Sequence, residues 1–259
     1  MHDFVHLHVH TQYSILDGQA SIPRLVDKAI ANGMRGIAVT DHGDMFGIKE
    51  FFNYVNKKNG GTNGEIKDLK KKIAALESGK AESENPEAEL AECREQLEAA
   101  KKKLFKPIIG CEMYVARRRL SNKEGKADQS GYHLVVLAKN LKGYHNLIKL
   151  VSKAWTEGFY MRPRTDRVEQ YHEGLIVCSA CLGGEIPRRI TAGQFAEAEE
   201  AIQWYKNLFG DDFYLVSTTM HLMPGGPVMR SKDLVGWETV SYLFDTLNDT
   251  PKYDMVGGT

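Results

Sequence analysis

Apolar and polar positions along this chain repeat with two periods, and the changes between them mark strands and helices. In Phe4-Val5-His6-Leu7-His8-Val9-His10-Thr11 the period is two. An extended chain would place His6, His8 and His10 on one face, with Leu7 and Val9 on the other. A helix follows. Ser21 suits its N-cap and Pro23 its first turn, while Leu25, Val26, Ala29 and Ile30 form an apolar face and Asn32-Gly33 ends it. Gly36-Ile37-Ala38-Val39-Thr40 is a short apolar run of the kind found in buried parallel strands, and it leads into Asp41-His42-Gly43. Residues 48–56 predict a second helix. The patterning then predicts strands at 107–112, 133–138, 174–181 and 213–216, with helices at 143–155 and 195–208. Beyond residue 216 the pattern weakens. Leu222 to Pro227 is rich in turn formers, and Leu234 to Leu247 predicts one more helix with Val240, Leu243, Phe244 and Leu247 on its face.

One stretch breaks the alternation. From Lys57 to Lys106 the chain is rich in Lys, Glu and Ala. Ile66, Leu69, Ile73 and Leu76 are spaced 3, 4, 3, and Leu90, Cys93, Leu97, Ala100 and Leu104 are spaced 3, 4, 3, 4. These are two heptad seams, with Gly79 and Pro86 breaking the chain between them. They predict an antiparallel helical hairpin inserted at 57–106. A docking arm for a partner is one reading of it. A solvated insertion without a catalytic role is the simpler one.

Composition narrows the class. A chain of 259 residues, 42% hydrophobic and 26% charged, has the make-up of an ordinary globular protein with a full core. It contains no apolar run long enough to span a membrane, and its first residues lack the apolar core of a signal peptide. Four cysteines are too few for a disulfide scaffold, which points to reduced thiols and a cytoplasmic location. Net charge is zero, which argues against tight nonspecific nucleic-acid binding but leaves room for a local basic groove.

The chemistry gathers at predicted strand ends. His8, His10, Asp17, His42, Glu112, His133 and Cys181 are each plausible ligands for a first-row metal. One histidine in an alternating segment is ordinary, but three invite a metal. Imidazole mixed with carboxylate suits zinc, manganese or iron. Seven ligands exceed one ion's needs, and clustered divalent ions suit phosphate-ester hydrolysis. Against this, His133 could be a satisfied core histidine and Cys181 a small apolar filler. Arg162 and Arg164 lie among Phe159 and Tyr160, a composition suited to single-stranded DNA; a basic surface loop is the alternative.

Four motifs, in order, resemble a known family. They are Phe4 to Thr11, Thr40-Asp41-His42-Gly43-Asp44-Met45-Phe46-Gly47, Pro107 to Glu112, and Cys178-Ser179-Ala180-Cys181-Leu182-Gly183-Gly184-Glu185. They resemble the PHP (polymerase and histidinol phosphatase) domain, in the version found at the N-terminus of bacterial replicative polymerase alpha subunits. Tyr144-His145-Asn146-Leu147 and Gly158 to Arg164 are similar to that version too. The resemblance covers 1–56 and 107–215. It implies an α/β fold, a distorted seven-stranded (β/α) barrel with a metal cluster at the strand ends. It places catalytic metal ligands at His8, His10, Asp17, His42, Glu112, His133 and Cys181. It also implies DNA and other replicase subunits as partners, with no membrane, and a metal-dependent 3′–5′ exonuclease or phosphoesterase. A stand-alone phosphatase, such as one acting on histidinol phosphate, and a metal-stabilised module without catalysis are the alternatives. The family's last metal motif, an Asp-x-His on a further strand, has no counterpart in 216–259, where His221 is the sole histidine. That segment reads as divergent or truncated, its barrel strand missing or altered. Fewer ions than the family's two or three are then expected, with weak cleavage. The polymerase palm would lie beyond this length.

Overall fold

The structure is a computed structural model. It describes residues 5–81, 84–118, 121–158, 166, 168–210, 213–216, 227–232 and 238–242. Helix α1 (Ile22–Ala31) leads to strand β1 (Gly36–Val39), and α2 (Ile48–Lys58) follows. Helices α3 (Gly60–Glu77) and α4 (Pro86–Lys103) come before β2 (Lys106–Val115). A single turn, α5 (Gly125–Asp128), separates β2 from β3 (Tyr132–Ala138). Then come α6 (Leu141–Glu157), a 3-10 turn at Val168–Tyr171, β4 (Leu175–Cys178), α7 (Glu185–Thr191) and α8 (Phe195–Phe209). Strands β5 (Phe213–Val216), β6 (Pro227–Ser231) and β7 (Glu238–Tyr242) form a separate antiparallel sheet.

The main sheet has the order β1-β2-β3-β4. β1 pairs with β2 in parallel, but β2 with β3 and β3 with β4 are antiparallel. The fold is therefore mixed α/β, and these strands depart from the all-parallel winding of a (β/α) barrel. The β2–β3 link, residues 116–131, has α5 as its only helix among the described residues and returns the chain antiparallel, while β4 is antiparallel to β3 although α6 lies between them. The described strands are divided between two sheets.

Alternation fixes the core. On β3, Leu134 and Val136 face α6, where Leu147, Leu150 and Val151 meet them together with Cys111 and Met113 of β2. Val135 and Leu137 point to the other face and join Ala38. Around β1, Ile37 and Val39 pack with Ile22 and Val26 of α1 and Phe51 and Val55 of α2. Burying each such side chain contributes about 1.5–3 kcal/mol. On β2, Glu112 lies between Cys111 and Met113, so period two turns it away from their apolar cluster.

Helices α3 and α4 lie against each other. Leu76, Cys93 and Ala100 are buried between them, and the other seam positions are half-buried. Lys72–Glu89, Arg94–Glu77 and Lys103–Glu65 bridge the two helices at 2.5, 2.8 and 3.6 Å. At the base, Asn59 both donates to and accepts from the Phe105 backbone, at 2.9 and 3.1 Å, and so ties the entry to the exit.

Two sequence expectations need correction. The helix expected over 234–247 is not formed at Glu238–Tyr242, which pairs as β7 with β6. Glu-Thr-Val-Ser-Tyr alternates, and its Thr, Val and Tyr favour a pleated strand. Residues 234–237 and 243–247 lie outside the described residues. The histidine segment is also no regular strand. Ala38 donates to His6 O and Thr40 to Val9 O, both at 2.9 Å. Between these bonds β1 advances two residues and the histidine segment three. The extra residue bends the chain and breaks the alternation.

Candidate metal centre

The ligand-bearing ends all lie at one edge of the main sheet. That edge holds the C-terminal ends of β1 and β4, the outer half of β2 and, because β3 is antiparallel, the N-terminal end of β3. A backbone bridge between His42 and Glu112 carries the β1–β2 pairing past β1. Another joins His133 to Gly184 and brings the Cys181 turn alongside. In that turn Gly183 packs closely under the His133 ring. A Cβ there would lie 3.0 Å from the His133 ring.

All seven candidate ligands converge. His8, His10 and Glu112 form one group, His10, Asp17 and His42 a second, and Glu112, His133 and Cys181 a third. Within each group the ligand atoms lie within 4.8 Å of one another. His6 stands outside these groups, as the bend between His6 and Val9 dictates. Arg162, Arg164 and His221 lie outside the described residues.

Glu112 is the floor of the site, only 1% exposed. Its Oε1 is 2.7 Å from His133 Nδ1. Its Oε2 faces three imidazoles, His42 Nδ1 at 2.7 Å, His10 Nε2 at 3.1 Å and His8 Nε2 at 3.6 Å. Yet Oε2 is buried and receives no well-directed hydrogen bond. Burial, the largest single influence, pushes the Glu112 carboxyl up, but the imidazoles of His10, His133 and His8 together outweigh it and hold it well below the usual range. Asp17, half exposed, sits on the rim. It is 3.2 Å from His10 Nδ1 and 2.9 Å from His42 Nε2, and these contacts outweigh its own desolvation and lower its pKa. Cys181 is exposed, with its sulfur 3.6 Å from His133 Nδ1.

The network dictates tautomers. If His10 donates through Nδ1 to Asp17, its Nε2 lone pair faces Glu112 Oε2 and, at 3.1 Å, His8 Nε2. Lone pairs gathered so closely repel unless a cation lies among them. A proton on His10 partly serves, and the Glu112 contact raises that pKa accordingly. A divalent ion fits the same need better, because nitrogen, carboxylate and sulfur donors already converge. His42 is oriented in the same way: Nε2 toward Asp17 and Nδ1 toward the Tyr114 hydroxyl at 3.0 Å.

A buried polar knot holds these ligands from behind. Asp41 is 1% exposed. Its carboxylate accepts from Thr11 N at 2.6 Å, Thr11 Oγ1 at 2.8 Å and Ser14 Oγ at 2.8 Å. Ser14 Oγ in turn accepts from His42 N at 3.1 Å. Gly18 closes this loop against Thr11, and a Cβ there would sit 1.8 Å from Thr11 O. Asp44 is buried too, which pushes its carboxyl up to about 6. Sequence reasoning passed over Asp41 and Tyr114 as functional positions. The one signal for Asp41 was an acidic residue directly after an apolar strand.

Residues 6–219 match the model of the PHP domain. The chain belongs to this family. Among relatives of this PHP domain is the DNA polymerase III subunit alpha of Borreliella burgdorferi, 40% identical over 242 residues, covering 92% of this chain and 17% of the relative. The subunits of Treponema pallidum and Aquifex aeolicus are 38% and 34% identical, covering 84% and 82% of the chain and 15% of each relative. The chain thus spans less than a fifth of the length of these relatives. A match over 92% of the chain necessarily reaches past residue 216, into the segment where the sequence pattern weakens. No helix among the described residues is long and apolar enough to cross a membrane.

Proposed function

We propose that this PHP domain is the N-terminal module of a replicative DNA polymerase alpha subunit and a divalent-metal phosphoesterase that removes nucleotides from a DNA 3′ end. One observation carries the reading: six donor side chains gather around a seventh, the buried Glu112 carboxylate, whose Oε2 lacks a directed hydrogen bond. The three donor groups, His8 with His10 and Glu112, His10 with Asp17 and His42, and Glu112 with His133 and Cys181, share His10 and Glu112, so the seven ligands would hold one ion or two. The donor set suits zinc, manganese or iron. Bound ions would lower the pKa of water and offset charge on the phosphoryl oxygens.

The protein's own residues orient and restrict. Asp17 fixes the rings of His10 and His42, and Tyr114 fixes the second nitrogen of His42. Asp41 holds the 11–18 loop. Asp17 and Cys181 are exposed at the rim, an opening suited to the end of a polymer. We infer that the main sheet is an arc of the barrel that the resemblance implies, with the histidine segment as a further stave beside β1. DNA, the other replicase subunits and a cytoplasmic location follow from the same reading.

The test is release of nucleoside monophosphate from a 3′-labelled single strand with manganese, set beside turnover of a phosphomonoester. Release of nucleotide that His42→Ala reduces at least a hundredfold is expected. Phosphomonoester turnover without DNA cleavage would favour a small-molecule phosphatase. Bound metal without either activity would leave a structural module.

A further inference from the structure

Beside the His133–Cys181 end of the metal centre lies a groove of about 490 Å³ that the proposed chemistry does not use. Arg117, Arg188, Arg189, Tyr132 and Leu182 line it. Leu182, next to Cys181, and Tyr132, next to His133, place it at the same sheet edge as the metal centre, with the Tyr132 ring on the sheet face opposite His133. The chain's formal charge is zero, so three guanidinium groups in one groove are a local feature.

Their charges are unequally spent. Arg189 is paired with Glu185 at 2.7 Å. Arg118, the neighbour of Arg117, is bound to the buried Asp128 and to Glu124. Among the described residues Arg117 donates only to the Ser130 hydroxyl, at 2.9 Å, and its Nε is buried with no partner there. Arg188 is exposed and has no acidic partner among the described residues. The Arg117 and Arg189 guanidinium groups lie 5.5 and 5.9 Å from the Tyr132 ring. The Arg117 Nε is itself shielded, so it is the exposed Arg188 that leaves positive charge open to an anionic ligand. Leu182, 80% exposed, adds apolar surface at the edge nearest the metal centre.

We propose that this groove binds the phosphodiester backbone of single-stranded DNA, on the stretch leading to the strand end held at the metal centre. The guanidinium fork matches phosphate oxygens, and the Tyr132 ring and Leu182 offer apolar contact to sugar and base. The proposal deepens the phosphoesterase reading and rests on it for the identity of the ligand.

The test avoids catalysis. Anisotropy of a labelled oligothymidylate of about twelve nucleotides is measured with the full chain in excess chelator, across a salt series. Arg188→Ala combined with Arg117→Gln should weaken binding about tenfold and reduce the salt slope by about 0.7 for each phosphate no longer neutralised. Arg188→Lys, which keeps a point charge without the fork, should retain the slope and lose part of the affinity. Loss of exonuclease activity with the arginine effect intact would separate failure of the catalytic reading from failure of this one. Should Arg117→Gln lower the melting temperature, exposed Arg188→Ala alone decides. Unchanged affinity and slope in the arginine variants would overturn the proposal. Equal affinity for thymidine 5′-monophosphate and the oligonucleotide would also overturn it, since that describes an isolated phosphate site.

Discussion

Replacing Asp41 by alanine should damage the metal centre without touching a candidate ligand. The Asp41 carboxylate accepts three hydrogen bonds in a place where water has little access. A hydrogen bond to a charged group contributes about 1.5–3 kcal/mol. Three of them in one network do not add fully, because the loop can relax and admit water, so a loss of about 3–5 kcal/mol is expected. Asp41→Asn should be milder. Its carbonyl can still accept from Thr11 N and Ser14 Oγ, and its amide can donate to Thr11 Oγ1; a loss of about 1–2 kcal/mol is expected. The consequence for metal follows from the chain. Asp41 grips Thr11 and Ser14, and the loop they anchor carries Asp17 and sets the approach of His10. Urea unfolding in chelator gives the stability of the metal-free protein, and elemental analysis gives the metal content. Both should fall together in Asp41→Ala and partly in Asp41→Asn. An alanine variant within about 1 kcal/mol of the parent, with full metal content, would refute the reasoning.

Two further outcomes are expected. The double variant His8→Ala with His10→Ala removes donors from two of the three groups, so elemental analysis should find most bound metal gone, and chelator should lower the parent's melting temperature more than the variant's. Replacing residues 60–103 by a short Gly-Ser bridge, while keeping Asn59 and Phe105, should leave fold and metal content intact, because the ion pairs of α3 and α4 run mainly between those helices. Aggregation or metal loss after that deletion would mean that the arm is part of the module's core.

Much of the candidate site could be read in the sequence because its ligands sit where strands end. A carboxylate or imidazole closing an apolar run is a visible signal: His42 comes just past β1, and Glu112 follows the run 107–111, although β2 continues to Val115. His133 was visible for the opposite reason, at a strand start, and the antiparallel direction of β3 brings that start to the common edge. Strand direction itself was not legible. Apolar runs of four to seven residues look alike whether their neighbours are parallel or antiparallel, and the links do not settle it either, since β3 and β4 are antiparallel across the helix α6. The helix expected over 234–247 failed for a related reason. Val240, Leu243, Phe244 and Leu247 satisfy a helical spacing, but Thr239, Val240 and Tyr242 equally satisfy a strand, and pairing with β6 settles the choice.

The behaviour of the histidine segment joins these observations. A regular strand at 4–11 would point three imidazoles one way, and His6 would compete with His8 and His10 for the same space. The extra residue between His6 and Val9 removes that competition. It also leaves Val9 N without a partner in the ladder, and the Thr40 hydroxyl takes that bond at 2.8 Å while donating to Val9 O at 3.1 Å. Thr40 therefore holds Val9 at the point where the segment departs from strand geometry, and Asp41 holds Thr11 two residues later. His10 lies between these two anchors, with His8 just before the first. Both anchors are buried and belong to the same β1 end that carries His42. The convergence of His8, His10 and His42 is thus set by the Thr40-Asp41 pair behind them.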